Sequence, residues 1–334
     1  MAAGIEDYSA AIVIRQMVRA PQLRGGHPVQ KNGNLVRYAG GFCVVYPFEA
    51  GKRKYAVRCW HTPVDSVQGS LDTILSAVAR SRLKYFVPCS YVKDAILTAN
   101  GPQPALVMDW VEAPTLKRYI GAHLDDRQAL DRLAESFLVM VKDLHNAGIS
   151  HGDLQHGNIL VQPGDGLTLV DYDSMYVPGM HEVQDEIKGL AGYQHPARLK
   201  QRYRSEVSDY FSELVIYTSI RTIARHPILW KRYNLADTET MLFTEADILS
   251  RGASEVFRII EQDREIRHLG RAVRDALRET SLERILPLEN VAAGQAEALV
   301  ESLSRRWESN GFQFSPMLSN MDIFNQLNDI CSRW

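Results

Sequence analysis

The sequence has little cysteine and no long apolar run near its start. Its 334 residues include four cysteines, Cys43, Cys59, Cys89 and Cys331, and none of them lies in a CxxC or other metal-binding spacing. Nothing in their placement indicates a disulfide framework, which favours a reducing compartment. The apolar stretch at residues 10–14 is too short for a signal-peptide core or a membrane span. We therefore expect a cytoplasmic protein with no membrane partner.

An excess of charge of one sign is also missing. Lysine and arginine together number 38, aspartate and glutamate number 40, and the formal net charge is -2. No basic face dominates, so nucleic acid is not expected as a partner. The hydrophobic and charged fractions, 45% and 23%, are those of an ordinary globular protein. The length fits one bilobal domain or two domains.

The patterns that are present divide the chain into a β-rich part and a helical part. The runs GFCVVYPF (41–48) and KYAVRCW (54–60) flank EAGKRK, which predicts a β-hairpin. Further strands are predicted in KYFVPCSYV (84–92) and PALVMDWV (104–111), and helical spacing of apolar residues predicts a helix over 65–80. Residues 1–30 contain a possible short helix.

From residue 113 onward the pattern is mainly helical. Apolar residues between 130 and 144 predict a long helix that ends at Gly148. Two short β-like runs follow, GNILVQ (157–162) and LTLVDY (167–172), and the segment 209–220 is apolar almost all round, as in a buried helix. This order predicts an α+β protein with a β-rich N-terminal part, one main helix within it, and a helical C-terminal part.

The segment HGDLQHGN (151–158) carries a chemically unusual set for a simple turn. It places a carboxylate, Asp153, near an amide, Asn158, and the run VDYDSM (170–175) adds a second carboxylate, Asp171, after a β-like run. Phosphoryl transfer needs positioned charge, hard oxygen ligands for a metal and an oriented nucleophile. These three side chains supply such a set.

These motifs resemble those of the protein kinase-like superfamily. HGDLQHGN is similar to the catalytic loop H-R-D-L-x-x-x-N, and VDYDSM is similar to the D-F-G segment. The resemblance implies that Asp153 accepts or orients the proton of the attacking hydroxyl. It implies that Asn158 and Asp171 hold Mg²⁺ (or Mn²⁺) on the phosphates of ATP, and that His151 braces the loop.

The resemblance also implies a bilobal fold and a nucleotide cleft. Its boundaries are an N-terminal extension (1–33), an N-lobe (34–112), a C-lobe (113–284) and a C-terminal helical extension (285–334). In the segment that connects the two lobes, the resemblance implies that Met108 is the gatekeeper residue beside the adenine pocket. It also implies that the backbones of Asp109 and Val111 meet the edge of the adenine ring. The nucleotide-covering loop is YAGGFCVV (38–45), whose implied nucleotide contacts are Gly40, Gly41 and Val45.

Several positions depart from the family pattern. Arg58 replaces the phosphate-gripping lysine, and the helix over 65–80 has no glutamate to pair with it. Asp72 is a candidate partner for Arg58, with a solvated helix aspartate as the alternative. Gly152 replaces the H-R-D arginine, so control through a phosphorylated activation loop is not expected. Asp173 replaces the D-F-G glycine and is either a metal ligand or a hydrogen-bonding group of the turn.

Two residues in the helical part of the chain, Pro196 and Asp209, also bear on the resemblance. Pro196 in GYQHPAR matches the proline of the A-P-E segment. Asp209 either holds the backbone of the catalytic loop, as the resemblance implies, or simply begins a helix.

Three functions remain open. The first is an ATP-dependent phosphotransferase, an atypical Ser/Thr protein kinase, and it rests on the complete set of metal and catalytic residues. The second is a pseudokinase that acts as a nucleotide-binding scaffold, and it rests on Arg58 and the glycine-poor loop. The third is a small-molecule kinase, because HGD is the form seen in aminoglycoside and choline kinase relatives. The phosphate acceptor is unidentified in all three.

A last amphipathic pattern lies near the C-terminus. It either packs on its own lobe or docks a protein partner, and its members are Ile323, Phe324, Leu327, Ile330, Cys331 and Trp334.

Overall fold

The predicted hairpin forms the middle of an antiparallel sheet. In the computed structural model, which describes residues 3–62, 65–180 and 182–293, strand β5 (Cys43–Ala50) pairs along its whole length with β6 (Arg53–Trp60). The connection is shorter than the predicted EAGKRK, because Ala50 pairs with Arg53 and only Gly51 and Lys52 remain in the turn. Gly51 has a φ of 62°, a value that glycine adopts without strain.

Six strands make up this sheet in the described part of the chain. The order is β1-β5-β6-β8-β7, with β4 also paired to β5. The remaining members are β1 (His27–Pro28), β4 (Tyr38–Ala39), β7 (Cys89–Thr98) and β8 (Gly101–Asp109). A separate two-stranded ribbon joins β2 (Gln30–Lys31) to β3 (Asn34–Leu35).

Strand β7 begins later than the sequence pattern predicts. The prediction covered residues 84–92, whereas the strand starts at Cys89. Pro88 lacks an N–H and cannot donate to the ladder, although its carbonyl oxygen accepts a hydrogen bond from the Asp109 N–H at 3.1 Å.

The first thirty residues pack on the sheet. Helix α1 (Ile5–Ile12) buries Tyr8, Ala11 and Ile12 in the same hydrophobic cluster as strands β5 and β6. The Tyr8 hydroxyl donates to the carbonyl oxygen of Trp60 at 3.0 Å. The described residues 3–23 therefore share the hydrophobic core of the sheet.

The predicted helix over 65–80 is present, and helices dominate the chain after residue 115. The helices are α2 (Asp65–Ser81), α3 (Leu116–Ala122), α4 (Arg127–Asn146), α5 (Tyr210–Arg225), α6 (Ile228–Arg232), α7 (Glu245–Leu249), α8 (Glu255–Gln262) and α9 (Arg267–Ala276). Helix α5 is buried on nearly every side, as its apolar pattern predicts. The α+β class is confirmed by the N-terminal sheet and these helices.

A buried ionic cluster joins helices α4 and α5. The His145 ring lies 2.9 Å from a Glu289 oxygen through Nδ1 and 3.0 Å from a Glu213 oxygen through Nε2. Burial opposes the charged ring, but the Glu213 and Glu289 carboxylates outweigh it and raise the pKa of His145 to about 9. His145 is therefore a cation at neutral pH.

The last structural element needed for the site is a short hairpin. Strands β9 (Ile159–Gln162) and β10 (Gly166–Leu169) pair antiparallel, as the two predicted β-like runs require. The segments before and after this hairpin are HGDLQHGN and VDYDSM. Among the described residues, no helix has the length and apolar character needed to cross a membrane. The predicted C-terminal helix lies outside the described residues.

Candidate functional site

A cavity of about 420 Å³ lies between the sheet and the β9–β10 hairpin. Its wall is mostly apolar, and Arg58, Asn158 and Asp171 form its polar part. The apolar lining consists of Val45, Ala56, Leu106, Met108, Val111, Ala113, Leu160 and Val170. A cavity of this size and character suits a small ligand with a flat apolar portion and a charged portion.

The three predicted catalytic and metal residues meet beside this cavity. The Asn158 Nδ2 donates to the Asp153 carbonyl oxygen at 2.8 Å and to Asp153 Oδ2 at 3.2 Å. The amide nitrogen is thereby turned toward Asp153, and the amide oxygen is not used in these contacts. Asp171 also lines the cavity. The hairpin brings the three together, because the Val170 N–H donates to the Asn158 carbonyl oxygen at 3.0 Å.

Asp153 has the electrostatic setting of a weak base. Burial, followed by the nearby Asp171 carboxylate, raises the pKa of Asp153 to about 6. The Leu190 N–H donates to Asp153 Oδ1 at 3.3 Å and acts in the opposite direction. A carboxyl with a pKa near 6 can accept a proton at neutral pH and is a stronger base than an ordinary aspartate.

Asp209 anchors the loop that carries Asp153. Its carboxylate accepts a short hydrogen bond from the His151 N–H, and it accepts from the Gly152 N–H at 3.0 and 3.1 Å through its two oxygens. Its side chain makes no capping hydrogen bond to helix α5. Asp209 therefore holds the backbone of the loop and does not cap helix α5 through its side chain.

His151 braces the loop against the hairpin. Its Nε2 lies 2.9 Å from the Val170 carbonyl oxygen, which requires Nε2 to carry the proton. The Asp153 N–H then donates to Nδ1 at 3.4 Å. The ring is fully buried and both nitrogens are used, so a structural role agrees with the prediction for His151.

Gly152 is required by the backbone. Its φ is +79°, and a Cβ at this position would lie 2.1 Å from the Ser174 carbonyl oxygen. Neither the arginine of the family pattern nor any other side chain fits here without movement of the loop. Asp171 also has a positive φ, 71°, a conformation that is uncommon for residues other than glycine but that aspartate and asparagine adopt more readily than most.

Arg58 makes a double ion pair with the D-Y-D segment. Its Nη2 lies 2.9 Å from Asp171 Oδ1 and 2.7 Å from Asp173 Oδ2. Burial disfavours the guanidinium charge, but Asp171 and then Asp173 reverse this and raise the pKa of Arg58 above its ordinary value. Arg58 is therefore held as a cation at the polar end of the cavity.

The proposed pairing of Arg58 with Asp72 is not present. Asp72 is exposed on helix α2, and within the described residues no ion pair joins it to Arg58. The reason is geometric: the segment 171–173 reaches the cleft-facing side of strand β6 and supplies the counter-charge from there. The alternative, a solvated helix aspartate, is the correct one.

Asp173 lies behind the cavity wall. Its side chain is only 2% exposed, whereas the side chain of Asp171 is 29% exposed. Burial, the largest influence, raises the pKa of Asp173, and Arg58 counteracts that rise. The Trp60 Nε1–H donates to the same oxygen that Arg58 contacts, at 3.1 Å. Neither role considered for Asp173 describes these contacts, because its partners Arg58 and Trp60 lie on strand β6 and not in the turn.

The glycine-bearing turn contributes less than its motif suggests. The Gly40 N–H donates to the Cys43 carbonyl oxygen at 2.8 Å and closes the turn between β4 and β5. Val45 lines the cavity, but Gly40 and Gly41 do not. A Cβ at Gly41 would meet nothing within 4 Å, so no close contact requires glycine there. Two aromatic residues, Tyr38 and Trp110, stand at the cavity instead, with ring centroids 6.2 Å apart.

The connector after strand β8 offers backbone groups to the cavity. Asp109 and Val111 both line it, as does the predicted gatekeeper Met108. The Asp109 N–H is used by Pro88, while the Val111 N–H has no partner among the described residues. The connector therefore presents a free donor beside an apolar wall.

The segment before helix α5 contacts the loop that carries Asp153. Pro196 begins a 3₁₀ turn (Pro196–Lys200), and the buried Arg198 in it donates to both oxygens of Asp185 at 3.1 Å. A Cβ at Gly189 would lie 2.8 Å from Asp153 Oδ1, so a glycine is needed beside the carboxylate. No sequence pattern indicates this contact.

The donor set fits magnesium better than a transition metal. No group of three or more His, Cys, Asp or Glu side chains that could hold a metal ion occurs in the described ranges. Mg²⁺ prefers hard oxygen ligands and usually takes only one or two from the protein, keeping water or phosphate for the rest. The Asp171 carboxylate and the Asn158 amide oxygen form such a pair.

Sequence reasoning missed Trp60 and the contact of Asp173 with Arg58. Trp60 had a usable signal, because it follows Arg58 by two positions in a strand and both side chains therefore face the same way. Asp173 had none, because residues 171–173 do not form a strand.

Comparison with known proteins found no match: no family model matches this sequence, and no curated protein matches it either.

Proposed function

We propose that the protein binds ATP with Mg²⁺ (or Mn²⁺) in this cavity and transfers the γ-phosphoryl group to a hydroxyl acceptor. The observation that carries the proposal is that Asn158 and Asp171 line a mostly apolar cavity and that Asp153 contacts Asn158 and lies near Asp171. With it we propose the bilobal protein kinase-like arrangement, residues 34–112 and 113–284 forming the two lobes. Free cysteines at positions 43, 59 and 89 agree with the proposed cytoplasmic location.

Asp153 is the base of the proposed reaction. An acceptor hydroxyl beside its carboxylate can pass its proton to Asp153 while its oxygen bonds to the γ-phosphorus and the bond to the ADP oxygen breaks. The elevated pKa of Asp153 suits this transfer at neutral pH. Asp209 and His151 contribute by fixing the loop, which keeps the carboxylate in place.

The phosphates would lie against Arg58, Asp171 and Asn158. Bound there, Mg²⁺ would neutralise developing phosphate charge, with Asp171 and Asn158 as its protein ligands. Arg58 supplies a fixed positive charge for phosphate oxygens. The adenine ring would occupy the apolar part, where the Val111 N–H and the carbonyl oxygen of Asp109 would face its edge.

A second candidate is a pseudokinase that binds nucleotide with little turnover. It is favoured by the direct ion pair between Arg58 and Asp171, which competes with metal binding, and by the absence of Gly40 and Gly41 from the cavity lining. The acceptor separates the remaining possibilities. A Ser/Thr side chain of a protein would make the chain an atypical protein kinase, and a small alcohol would make it a small-molecule kinase.

The first test is calorimetric titration of ATP into the full-length protein, with magnesium and then with EDTA. Magnesium-dependent binding in the micromolar range supports the nucleotide site, and no binding in either condition would refute it. A γ-phosphate transfer assay on general protein and small-alcohol acceptors follows.

In the transfer assay, Asp153→Ala should abolish turnover and leave nucleotide binding intact. Asp94→Asn, a change at an exposed aspartate of strand β7, is the matched control and should alter neither. Binding without turnover in the wild-type protein on every acceptor class would favour the pseudokinase.

A further inference from the structure

The ion pair between Arg58 and Asp173 is the strongest unexplained feature of the site. Arg58 and Trp60 lie two residues apart on strand β6, so both side chains point to the same face of the sheet. Both donate to a single oxygen of Asp173, at 2.7 Å and 3.1 Å. A carboxylate that is 2% exposed and held by two donors from one strand is fixed in position.

We propose that Asp173 is the positioning residue of the nucleotide site: it holds Arg58 so that the unused edge of the guanidinium faces the phosphates of the bound nucleotide. This inference rests on the proposed function. In the D-Y-D segment, Asp171 would then bind the metal ion and Asp173 would hold the Arg58 guanidinium.

The use of the guanidinium nitrogens supports this assignment. A guanidinium has five N–H donors, and Nη2 makes the contacts to both Asp171 and Asp173. Nη1 makes no hydrogen bond to any described residue, and Arg58 lines the cavity. The nitrogen available to a ligand is therefore the one opposite the anchored edge.

The two carboxylates differ in how easily they can leave Arg58. Asp171 lines the cavity and its side chain is 29% exposed, so a cation arriving with the nucleotide can replace Arg58 as its partner. Asp173 lies behind the wall and has no such competitor. Arg58 would therefore stay in place on Asp173 if Asp171 exchanged its ion pair for a bound metal ion.

In this arrangement helix α2 does not position the Arg58 side chain. The described part of the helix supplies no acidic partner to Arg58, and Asp72 is exposed. One short segment, residues 171–173, positions both the metal carboxylate and the cation. Nucleotide affinity is consequently expected to depend on Asp173 and to be insensitive to the acid on α2.

The test is calorimetric titration of Mg²⁺ and ATP into full-length wild-type, Asp173→Asn, Asp72→Asn, Arg58→Met and the Arg58→Met/Asp173→Asn double variant. We expect Asp173→Asn to weaken nucleotide binding by at least about tenfold, because the guanidinium loses its fixed partner. Asp72→Asn should bind as the wild type does. In the Arg58→Met background, Asp173→Asn should have no further effect, since the two residues act through one interaction.

The outcomes separate this inference from the proposed function. No nucleotide binding by the wild-type protein refutes the proposed function. Wild-type binding with an unchanged affinity in Asp173→Asn overturns the positioning role alone, and so does an equal loss in the Arg58→Met background. If Asp173→Asn does not fold, the double variant removes both buried charges together and is compared directly with Arg58→Met. Equal affinities of those two support the proposal, and weaker binding by the double variant overturns it.

Discussion

Removal of the Asp209 carboxylate should destabilise the protein far more than loss of a helix cap. The side chain is 1% exposed and accepts hydrogen bonds from the N–H groups of His151 and Gly152. In Asp209→Ala these two buried amides lose a charged acceptor. Hydrogen bonds to a charged group contribute about 1.5–3 kcal/mol each, so we expect the loss of two to lower the free energy of unfolding by about 3–6 kcal/mol. Asp209→Asn can still accept from one amide and should lose about half as much.

The matched control is Asp126→Ala. Asp126 is a true N-cap, because its side chain accepts from the Ala129 N–H at the start of helix α4 at 2.9 Å. Loss of such a cap costs about 1 kcal/mol. Urea unfolding of the full-length variants, followed by circular dichroism, measures the difference. If Asp209→Ala is no more destabilising than Asp126→Ala, Asp209 does not anchor the loop energetically and the reasoning is wrong.

Three further predictions concern the loop, its base and the buried histidine. In Gly152→Ala the new Cβ would lie 2.1 Å from the Ser174 carbonyl oxygen, so urea unfolding should show a loss of more than about 3 kcal/mol in the free energy of unfolding. The control is Gly164→Ala, where φ is +77° but the space is open, and it should lose only about 1 kcal/mol. The phosphate-transfer rate should rise with pH through about 6, since Asp153, with its pKa raised to about 6, must lose its proton to act as a base; a flat profile between pH 5 and 7 would contradict that role. The raised pKa of His145, from 6.5 to about 9, stabilises the fold fully below pH 6.5, and this stabilisation is lost as the pH rises through 9. Urea midpoints should fall over that window in the wild type, and His145→Gln should flatten the fall.

Local sequence signals were sufficient for most elements of the fold. Alternating apolar residues placed the β5–β6 hairpin, and helical spacing placed α2, α4 and α5 within a few residues of their bounds. The errors arose where hydrogen-bond partners decide the boundary. Strand β7 begins after Pro88, and the hairpin turn contracts to two residues because pairing continues to Ala50 and Arg53.

The candidate site was only partly predictable for the same reason. The motif spacing identified Asp153, Asn158 and Asp171, whose roles depend on short-range chain geometry. Asp72 was one candidate partner of Arg58, and the alternative, a solvated helix aspartate, is the correct one. The observed partners, Asp171 and Asp173, depend on which segment crosses the face of strand β6. Contacts such as that of Gly189 with Asp153 join residues far apart in the chain and leave no periodic signal.

By itself, then, the sequence determined the order of strands and helices, since hydrophobic periodicity acts over one or two turns of chain. It also determined the candidate side chains of the site, Asp153, Asn158 and Asp171, because the spacing of their motifs is local. Only the tertiary structure decided which carboxylate neutralises Arg58, why Gly152 has no side chain, and how Asp209 supports the loop. Each of these depends on burial and on atoms brought within hydrogen-bonding distance from separate segments, and desolvation in that packed setting is also what raises the pKa of Asp153.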